Sequence, residues 1–429
     1  MDSVQSNQTE MGEQIVRNVT CPHCWSLCPS SDVVWISTHD ELRDDPILTR
    51  DDMLRFLPTR FDINGDAMDM RNSPCQELAC PRCHLPIPRE LLTSEAAIFS
   101  IIGTTASGKS YYLASAAWEL SRILAQQFCM GFGDINVASN STVVDHKNVL
   151  FANDNPDQEV AIEKTQIGAR THYNPVIIDE QEIRFPKPFL FNLRPQKKHP
   201  GFGQIRNNRI LCLYDNAGEN FIPGADTTLS PGTRHMARSK VLMFLFDPIQ
   251  DSRFRDLCRR FSDDPQLYKS GRIEMQSHIL EEATRRIRQY AHLNPHDKLR
   301  QPLIVLLPKS DIWGHLLEDT DITTEPYIET NSPSDPQSFV DVERVNNVSQ
   351  QIGKLLLEVA PEFVTAAENC SDEVVYIPVS ALGCSPKNRE SDNILVVRPK
   401  DIRPRWVTVP FIFAFTVWAK GLFVPHADF

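Results

Sequence analysis

The stretch Gly103–Ser110, with the sequence GTTASGKS, has the residue types and spacing that most directly predict chemistry in this chain. It lies between the apolar run 96–102 and a helical pattern, and the order of buried strand, glycine-bounded turn and helix N-terminus is typical of a phosphate-binding loop. Glycine lets the backbone approach an anion closely, and the loop N–H groups and the positive end of the helix face that anion. We therefore predict that this segment, the phosphate loop, binds nucleotide phosphates. The simpler alternative is a glycine turn between a strand and a helix.

Residues of the phosphate loop have separate expected roles. Lys109 is expected to hold the β- and γ-phosphates, and the Ser110 hydroxyl is expected to ligate magnesium. The other predicted nucleotide contacts come from the rest of the loop and the residue after it, namely Gly103, Thr104, Thr105, Ala106, Ser107, Gly108 and Tyr111.

A second motif, LYDNAGE at residues 213–219, places a carboxylate at the end of an apolar strand with a glycine three positions later. Asp215 could hold magnesium through a water molecule, and the Gly218 N–H could meet a γ-phosphate. This segment is therefore the predicted γ-phosphate sensor.

Two later motifs, LPKSD at 307–311 and PVSALG at 378–383, also follow apolar strands. The Asp311 carboxylate could accept hydrogen bonds from N1–H and the exocyclic amine of guanine, and adenine would leave that carboxylate unpaired. The stem of Lys309 could cover the base, and the turn at Ser380 and Ala381 could touch the guanine oxygen. Taken singly, the first of these motifs is explained by a helix cap and the second by an ordinary turn. Their order after a phosphate loop favours a guanine site.

Two C-x-x-C pairs in the first fifth of the chain predict a metal site, formed by Cys21, Cys24, Cys80 and Cys83. Each pair makes a tight turn with two thiolates on one side, and two such turns complete a tetrahedral zinc site without an open position. The zinc is therefore expected to stabilise the fold. The alternatives are turns with free thiols, or a redox pair, which normally opens a helix in a βαβ setting that is absent here. Nearby potential ligands are expected to be bystanders: His23, Cys28, Cys75 and His84.

The composition of the chain argues against some classes of function. The chain has 429 residues, 11 cysteines and a net charge of -12, and the acidic balance argues against broad nucleic-acid binding. Its start lacks a basic region followed by an apolar core, and the late apolar segment 407–424 is too short and interrupted to span a bilayer. We therefore expect a cytoplasmic protein without a membrane span.

Alternating strand and helix patterns after the phosphate loop predict an α/β domain with a three-layer, mostly parallel sheet and one antiparallel edge strand. Strands are expected at 96–102, 189–193, 209–214, 241–246, 303–307 and 374–379, the second and third as an antiparallel pair. Helices are expected after the loop and at 273–290, 342–359 and 410–420. The predicted organisation is a zinc-ribbon-like module at 1–92 and a nucleotide domain at 93–429, with long insertions at about 131–185 and 315–340. The module is expected to contain a strand at 33–37, a short helix at 49–56 and a turn at Asn64–Gly65.

With these motifs in place, residues 95–422 resemble the Ras-like (TRAFAC-class) P-loop GTPases. The zinc-knuckle leader and wide motif spacing also look like bacterial GTPases of the double-GTPase type, proposed as switches in conflict systems. The resemblance implies GTP or GDP as ligand, magnesium as cofactor and GTP hydrolysis as activity. It assigns Lys109, Ser110, Asp215, Gly218 and Glu219 to catalysis.

Two positions depart from the family pattern. Pro308 stands where Asn or Thr is usual, which removes a side chain that would tie the base-recognition turn to the phosphate loop. Glu219 stands where a water-positioning glutamine is often found, and a carboxylate near the γ-phosphate is unfavourable without a neighbouring cation. Slow intrinsic hydrolysis is therefore expected.

The magnesium-binding threonine of the first switch is either Thr165 or Thr171, and Thr171 is the predicted magnesium ligand. Both threonines are also explained as solvated loop residues. A charge-stabilising arginine could be Arg170, Arg234 or Arg238, or could come from a partner. The overall prediction is a GTP-dependent switch with an unidentified effector protein. The alternatives are an ATP-dependent NTPase or kinase, and a nucleotide-gated binding protein whose zinc module contacts protein or nucleic acid.

Overall fold

The computed structural model describes residues 15–48, 51–162, 173–178, 180–204, 207–216, 221, 232–268, 275–318, 320–329, 338–392, 394–419 and 422–423. Structural statements below concern these residues.

The N-terminal module is built from short strands, which in its described part are β1 Asn18–Thr20, β2 Leu27–Pro29, β3 Val34–Ile36, β4 Arg55–Phe56, β5 Ala67–Met68, β6 Pro74–Cys75, β7 Leu78–Ala79 and β8 Pro86–Ile87. Four of these strands form a sheet in the order β4-β3-β7-β8. The predicted strand at 33–37 is confirmed by β3. The turn at Asn64–Gly65 is confirmed too, because Gly65 has φ +82° and donates its N–H to the Asp62 carbonyl.

The helix expected at 49–56 is wrong in the part that the structure describes. Arg55 and Phe56 form β4 and pair with Ile36 and Trp35 of β3. The helical pattern was short, and strand pairing with β3 outweighs the weak local preference. Residues 49 and 50 lie outside the described ranges.

The elements between residues 95 and 417 form a mixed α/β unit. Its strands are β9 Glu95–Gly103, β10 Met130–Asp134, β11 Tyr173–Ile178, β12 Gln181–Pro186, β13 Phe189–Pro195, β14 Arg209–Asp215, β15 Val241–Leu245, β16 Leu303–Leu307, β17 Tyr327–Glu329, β18 Ser338–Val340, β19 Val374–Pro378, β20 Lys387–Arg389 and β21 Ile394–Val396. Its helices are α1 Lys109–Gln127, α2 Ser141–Phe151, α3 Ser252–Cys258, α4 Gln276–Tyr290, α5 Ser310–Trp313, α6 Val342–Val359, α7 Pro361–Cys370 and α8 Val409–Val417.

Seven of the described strands form one sheet in the order β10-β13-β14-β9-β15-β16-β19. Neighbours from β14 to β19 are parallel, and their continuous apolar runs are the pattern that predicted buried parallel strands. The antiparallel pairing of β13 with β14 is confirmed. However, β13 is not the edge strand that was expected, because β10 pairs with its other side in antiparallel register.

The segment 131–185, expected to be an irregular insertion, contains several regular elements in its described part, although residues 152–159 are turns and irregular backbone. It supplies most of the edge strand β10, the helix α2 and the hairpin of β11 with β12. The sequence of β10, MGFGD, lacks the apolar run that marks the other sheet strands, and the pattern therefore gave no strand signal. The second expected insertion, 315–340, includes β17 and β18, which pair with each other.

The two faces of the central strands pack into different apolar clusters. Leu211 and Leu213 of β14 belong to the main cluster with residues of α1 and α8, whereas Ile210, Cys212 and Tyr214 belong to a second cluster. This alternation follows from the two-residue period of a strand. The second cluster also contains the cysteines and tryptophans of the N-terminal module. The module therefore packs directly on one face of β9 and β14.

Among the described helices, none combines the length and apolar character that crossing a membrane would require.

Candidate functional site

The phosphate loop connects the end of β9 to the start of α1, as the sequence predicted. Gly108 has φ +92°, a left-handed conformation that side-chain-bearing residues rarely adopt. A Cβ at Gly103 would lie 3.1 Å from both Cβ and the carbonyl oxygen of Leu245, which shows how closely the loop packs on β15. The two glycines are thus required by backbone conformation and by packing, respectively.

The Lys109 ammonium lies over the loop backbone, 3.0 Å from the Gly103 carbonyl oxygen and 2.9 Å from that of Thr104. This position puts a positive charge within the loop, at the N-terminus of α1. Ser110 is in the first turn of the same helix. The Tyr111 hydroxyl accepts a hydrogen bond from the Ile162 N–H at 3.1 Å.

Asp215 ends β14 beside Ile101 of β9, two residues before the phosphate loop begins. The structure thus places this carboxylate at the same end of the parallel strands as the phosphate loop. The next residue, Asn216, donates from its backbone and its side chain to the Ile101 carbonyl, each at 3.0 Å. Gly218 and Glu219 lie outside the described residues.

Asp311 and Ser380, predicted from separate motifs, are in direct contact. The Ser380 hydroxyl donates to Asp311 Oδ1 and accepts the Gly383 N–H at 2.8 Å. Burial raises the pKa of Asp311, and the hydrogen bond from Ser380 opposes that rise. A single hydroxyl therefore orients the carboxylate and favours its charged form.

The turn at Ser380 and Ala381 also touches the helix that begins in the phosphate loop. Ser115 of α1 donates to the Ala381 carbonyl at 2.8 Å. The closing turn is consequently fixed both to the Asp311 carboxylate and to α1.

Lys309 has a partner that sequence reasoning missed. Its ammonium lies 2.7 Å from Oδ2 of Asp247, whose side chain is fully buried. Burial raises the pKa of Asp247, and Lys309 opposes this effect. The one signal in the sequence was a carboxylate followed by proline at the end of the apolar run 241–246.

Gln250 contacts the phosphate loop at two points. Its Oε1 accepts from the Thr104 hydroxyl at 2.8 Å, and its Nε2 donates to the Thr105 carbonyl at 3.1 Å. No local pattern singled out this glutamine, because its role depends on a contact with residues far away in the sequence.

A cavity of about 310 Å³ adjoins Asp311. It is lined by Ser310, Asp311, Gly314, His315, Leu317, Thr320, Asp321, Ile322, Thr323 and Arg405. Polar groups thus surround one side of the predicted base-recognition carboxylate.

The four predicted metal ligands, Cys21, Cys24, Cys80 and Cys83, are brought together. All four are buried, and their sulfur atoms lie within 4.8 Å of one another. Sγ of Cys21 is 3.8 Å from that of Cys83, and Sγ of Cys24 is 3.7 Å from that of Cys80. A tetrahedral zinc with Zn–S bonds of about 2.3 Å requires sulfur separations of about 3.8 Å, and the cluster fits this geometry.

The expected bystanders have other contacts. His84 pairs through Nδ1 with Asp45 at 2.8 Å, and His23 lies 2.9 Å from the Pro86 carbonyl. Cys28 donates to the Val19 carbonyl, and Cys75 lies near Asp69. These residues are not part of the four-sulfur cluster.

The first cysteine turn contacts the end of β14. Trp25 donates from Nε1 to the Tyr214 hydroxyl at 2.9 Å, and that hydroxyl donates to the Pro22 carbonyl. The Tyr214 ring stacks on His235, with centroids 4.0 Å apart. Burial lowers the pKa of His235 to about 3, so the ring is neutral near pH 7, and its Nε2 lies 3.3 Å from the Asn216 amide. A continuous set of contacts therefore links the cysteine turn to the residue after Asp215.

The candidate switch and arginine residues are only partly described. Thr165, Arg170 and Thr171 lie outside the described residues. The Arg234 guanidinium lies 5.3 Å from the centre of the Tyr290 ring, and Arg238 is exposed.

No known family's sequence profile matches the chain, and no curated protein matches it. Among solved structures, the Ski7 GTPase-like domain of S. cerevisiae bound to GTP matches 70% of this chain and 46% of its own, with 16% identity and a TM-score of 0.28. Sup35 complexed with GDP matches 67% of this chain and 38% of its own, with 13% identity and a TM-score of 0.22. The chain thus spans less than half the length of these two structures. At this distance neither likeness defines its function.

Proposed function

We propose that this chain binds GTP and GDP with magnesium, hydrolyses GTP slowly, and acts as a molecular switch. The observation that carries the proposal is the contact set around Ser380 and Ala381. Ser380 orients the Asp311 carboxylate, and Ala381 is fixed to the helix that starts in the phosphate loop. A base-recognition carboxylate and an anion-binding loop are thereby joined through one turn.

The proposed roles follow the predicted motifs. Gly103–Ser110 would bind the phosphates, Ser110 and Asp215 would hold magnesium, and Lys309 and Asp311 would recognise guanine. Held by these residues, the ion would supply charge neutralisation for the bound phosphates. Oxygen ligands from a hydroxyl and a carboxylate suit that ion.

The proposal extends to the architecture and the location. The sheet would be the middle of three layers, which is consistent with the separate clusters on the two faces of β14. The four-cysteine cluster would hold a structural zinc in a module ending near residue 92. The acidic chain would work in the cytoplasm, and the zinc-knuckle leader is the basis for proposing a bacterial conflict system.

A competition experiment tests guanine recognition. Binding of a fluorescent GDP analogue to the purified chain with magnesium is competed with GDP, GTP, ADP and ATP, for the wild type and for Asp311→Ala. We expect guanine nucleotides to compete at least 100-fold better, and the variant to lose that preference while retaining phosphate-dependent binding. Equal competition by adenine nucleotides in the wild type would support an ATP-dependent enzyme in its place.

Hydrolysis has its own test at Glu219. Single-turnover rates are measured at saturating GTP for the wild type and Glu219→Gln. Because a carboxylate is unfavourable near the γ-phosphate, we expect the glutamine variant to hydrolyse GTP faster, by about tenfold. Identical rates would remove Glu219 from the mechanism.

A nucleotide-gated binding protein is the remaining alternative, in which the zinc module contacts protein or nucleic acid. Binding to DNA or RNA that weakens steeply with salt would support it, and the net charge of -12 speaks against it.

A further inference from the structure

With proline at position 308, another group must connect the base-recognition turn to the phosphate loop. A nucleotide held at both ends needs the base-recognition turn, Pro308–Asp311, and the phosphate loop to keep a fixed separation. Proline has no side-chain donor or acceptor with which to tie the two together. Its carbonyl accepts from the Trp313 indole at 2.8 Å, within its own turn.

We infer that Asp247 and Gln250 are positioning residues that couple the base-recognition turn to the phosphate loop, the task that Pro308 cannot perform. This inference deepens the proposed function and rests on it. The segment Asp247–Gln250, here called the bridge, would accordingly be a determinant of guanine preference.

The first half of the bridge is an ion pair. Lys309 reaches Asp247 Oδ2 at 2.7 Å, and only 17% of the lysine side chain is exposed. Lys309 itself has φ +61°, so a partner that holds its side chain also fixes an uncommon backbone conformation. Separating the members of a buried ion pair leaves each charge uncompensated and is therefore costly. Lys309 and Asp247 are consequently held close together.

The second half of the bridge runs from Asp247 to the loop. Asp247 begins a short 3-10 turn, where its Oδ1 accepts the Ile249 N–H and where Gln250 is the last residue. Gln250 then uses both atoms of its amide on Thr104 and Thr105. Thr104 is fully buried, so its hydroxyl has a strong requirement for this acceptor.

The base of the bridge is itself held firmly. Gln276 of α4 accepts the Asp247 N–H at 2.7 Å and donates to the Asp247 carbonyl at 3.0 Å. This reciprocal pair anchors the bridge to a helix outside both binding segments. The bridge can therefore transmit position from one end of the site to the other.

The test uses the full-length chain and the variant Gln250→Ala, with Gln350→Ala on the exposed face of α6 as a matched control. Affinities for GDP and ADP are measured by titration with magnesium. Because both ends must engage together for GDP, we expect its affinity to fall about tenfold, while ADP affinity changes less. The GDP-to-ADP ratio thus separates coupling from simple support of the loop, which would weaken both nucleotides equally.

A rescue variant sharpens the result. Pro308→Asn supplies the missing side chain, and combined with Gln250→Ala it should restore the GDP-to-ADP ratio to within about threefold of the wild type. An unchanged ratio in Gln250→Ala, or equal losses for both nucleotides, would overturn the inference.

Amide hydrogen exchange of the nucleotide-free protein tests whether the bridge couples the two segments. In Gln250→Ala, amides of both 103–108 and 309–311 should exchange faster than in the wild type and in Gln350→Ala. Exchange that changes in the loop alone, or in neither segment, would refute coupling. If the wild type failed to prefer GDP, the proposed function would be wrong, and this exchange result would still decide whether the bridge couples the two segments.

Discussion

At the scale of single residues, the Asp311 carboxylate is the group on which the proposed guanine recognition depends. It is partly buried, and the charges that face it are Asp264, which raises its pKa, and Arg405, which lowers it. Burial is the largest influence and raises the pKa, whereas the Ser380 hydroxyl favours the ionised form.

The first prediction concerns Ser380→Ala. Only ionised Asp311 can accept two guanine N–H groups, so GDP affinity should fall as the pH is lowered through the pKa of Asp311, by about tenfold per pH unit below it. Loss of the serine hydroxyl should raise that pKa further and move the fall in affinity to higher pH. Nucleotide titrations between pH 4 and 8 measure the midpoint. ADP binding serves as the control, and superimposable GDP curves for wild type and variant would contradict the prediction.

The second prediction concerns Glu325, which accepts the Trp406 N–H at 2.6 Å. Burial raises the pKa of Glu325 from 4.5 to about 7. The folded state therefore holds this proton more tightly than the unfolded state does, and stability is lost as the pH rises from about 4.5 towards 7. Glu325→Gln should stabilise the protein by about 3 kcal/mol at pH 8 and have little effect at pH 4.

Urea unfolding of wild type and Glu325→Gln at both pH values tests this expectation. Glu329→Gln, which changes an exposed glutamate in β17, is the matched control. Equal effects of Glu325→Gln at the two pH values would show that the carboxyl is not buried in its neutral form.

At the scale of secondary-structure elements, sequence patterns were informative where the signal is local. The strands β15, β16 and β19 were predicted because each is a continuous apolar run, and α6 because its apolar residues repeat every three or four positions. By contrast, β10 contains two glycines and depends on pairing with β13. The contacts of Gln250 and of Trp25 join residues more than a hundred positions apart, and no local pattern encodes them.

The cysteine turns illustrate both cases. Their spacing predicted the four-sulfur cluster, whose geometry the structure shows. The same spacing did not predict that the Pro22 carbonyl, in the turn at Cys21–Cys24, accepts a hydrogen bond from the Tyr214 hydroxyl of β14. The local motif thus defines the site, and only the fold defines what the site supports.

The third prediction is that one zinc per chain holds this contact in place. Metal analysis should find one zinc in the wild type and none in Cys80→Ser, because the remaining three sulfurs leave the tetrahedron incomplete. The control variants Cys28→Ser and Cys75→Ser should retain the metal. In Cys80→Ser, amides of β14 should exchange faster, since the partners of Tyr214 lie in the destabilised turn. Retention of full zinc by Cys80→Ser would contradict the assignment.

At the scale of the whole molecule, the N-terminal module and the central sheet share one apolar cluster. Ile98, Ile210 and Tyr214 come from the sheet, whereas Trp25 and Leu91 come from the module, and all five are buried together. Separating the two parts would expose this apolar surface to water, at a cost of about 25 cal/mol for each Å².

The fourth prediction is therefore that the module and the sheet unfold as one cooperative unit. Calorimetry of the full chain should show a single transition, which Mg-GDP raises by binding only the folded state and which a zinc chelator lowers. The shared cluster gives the reason, because a module that lost the proposed zinc would uncover one face of β9 and β14 and destabilise the proposed nucleotide site with it. Cys28→Ser, which leaves the sulfur cluster intact, controls for the loss of a thiol. Two resolved transitions, with the chelator moving one of them and Mg-GDP only the other, would instead show that the two parts are energetically independent despite their contact.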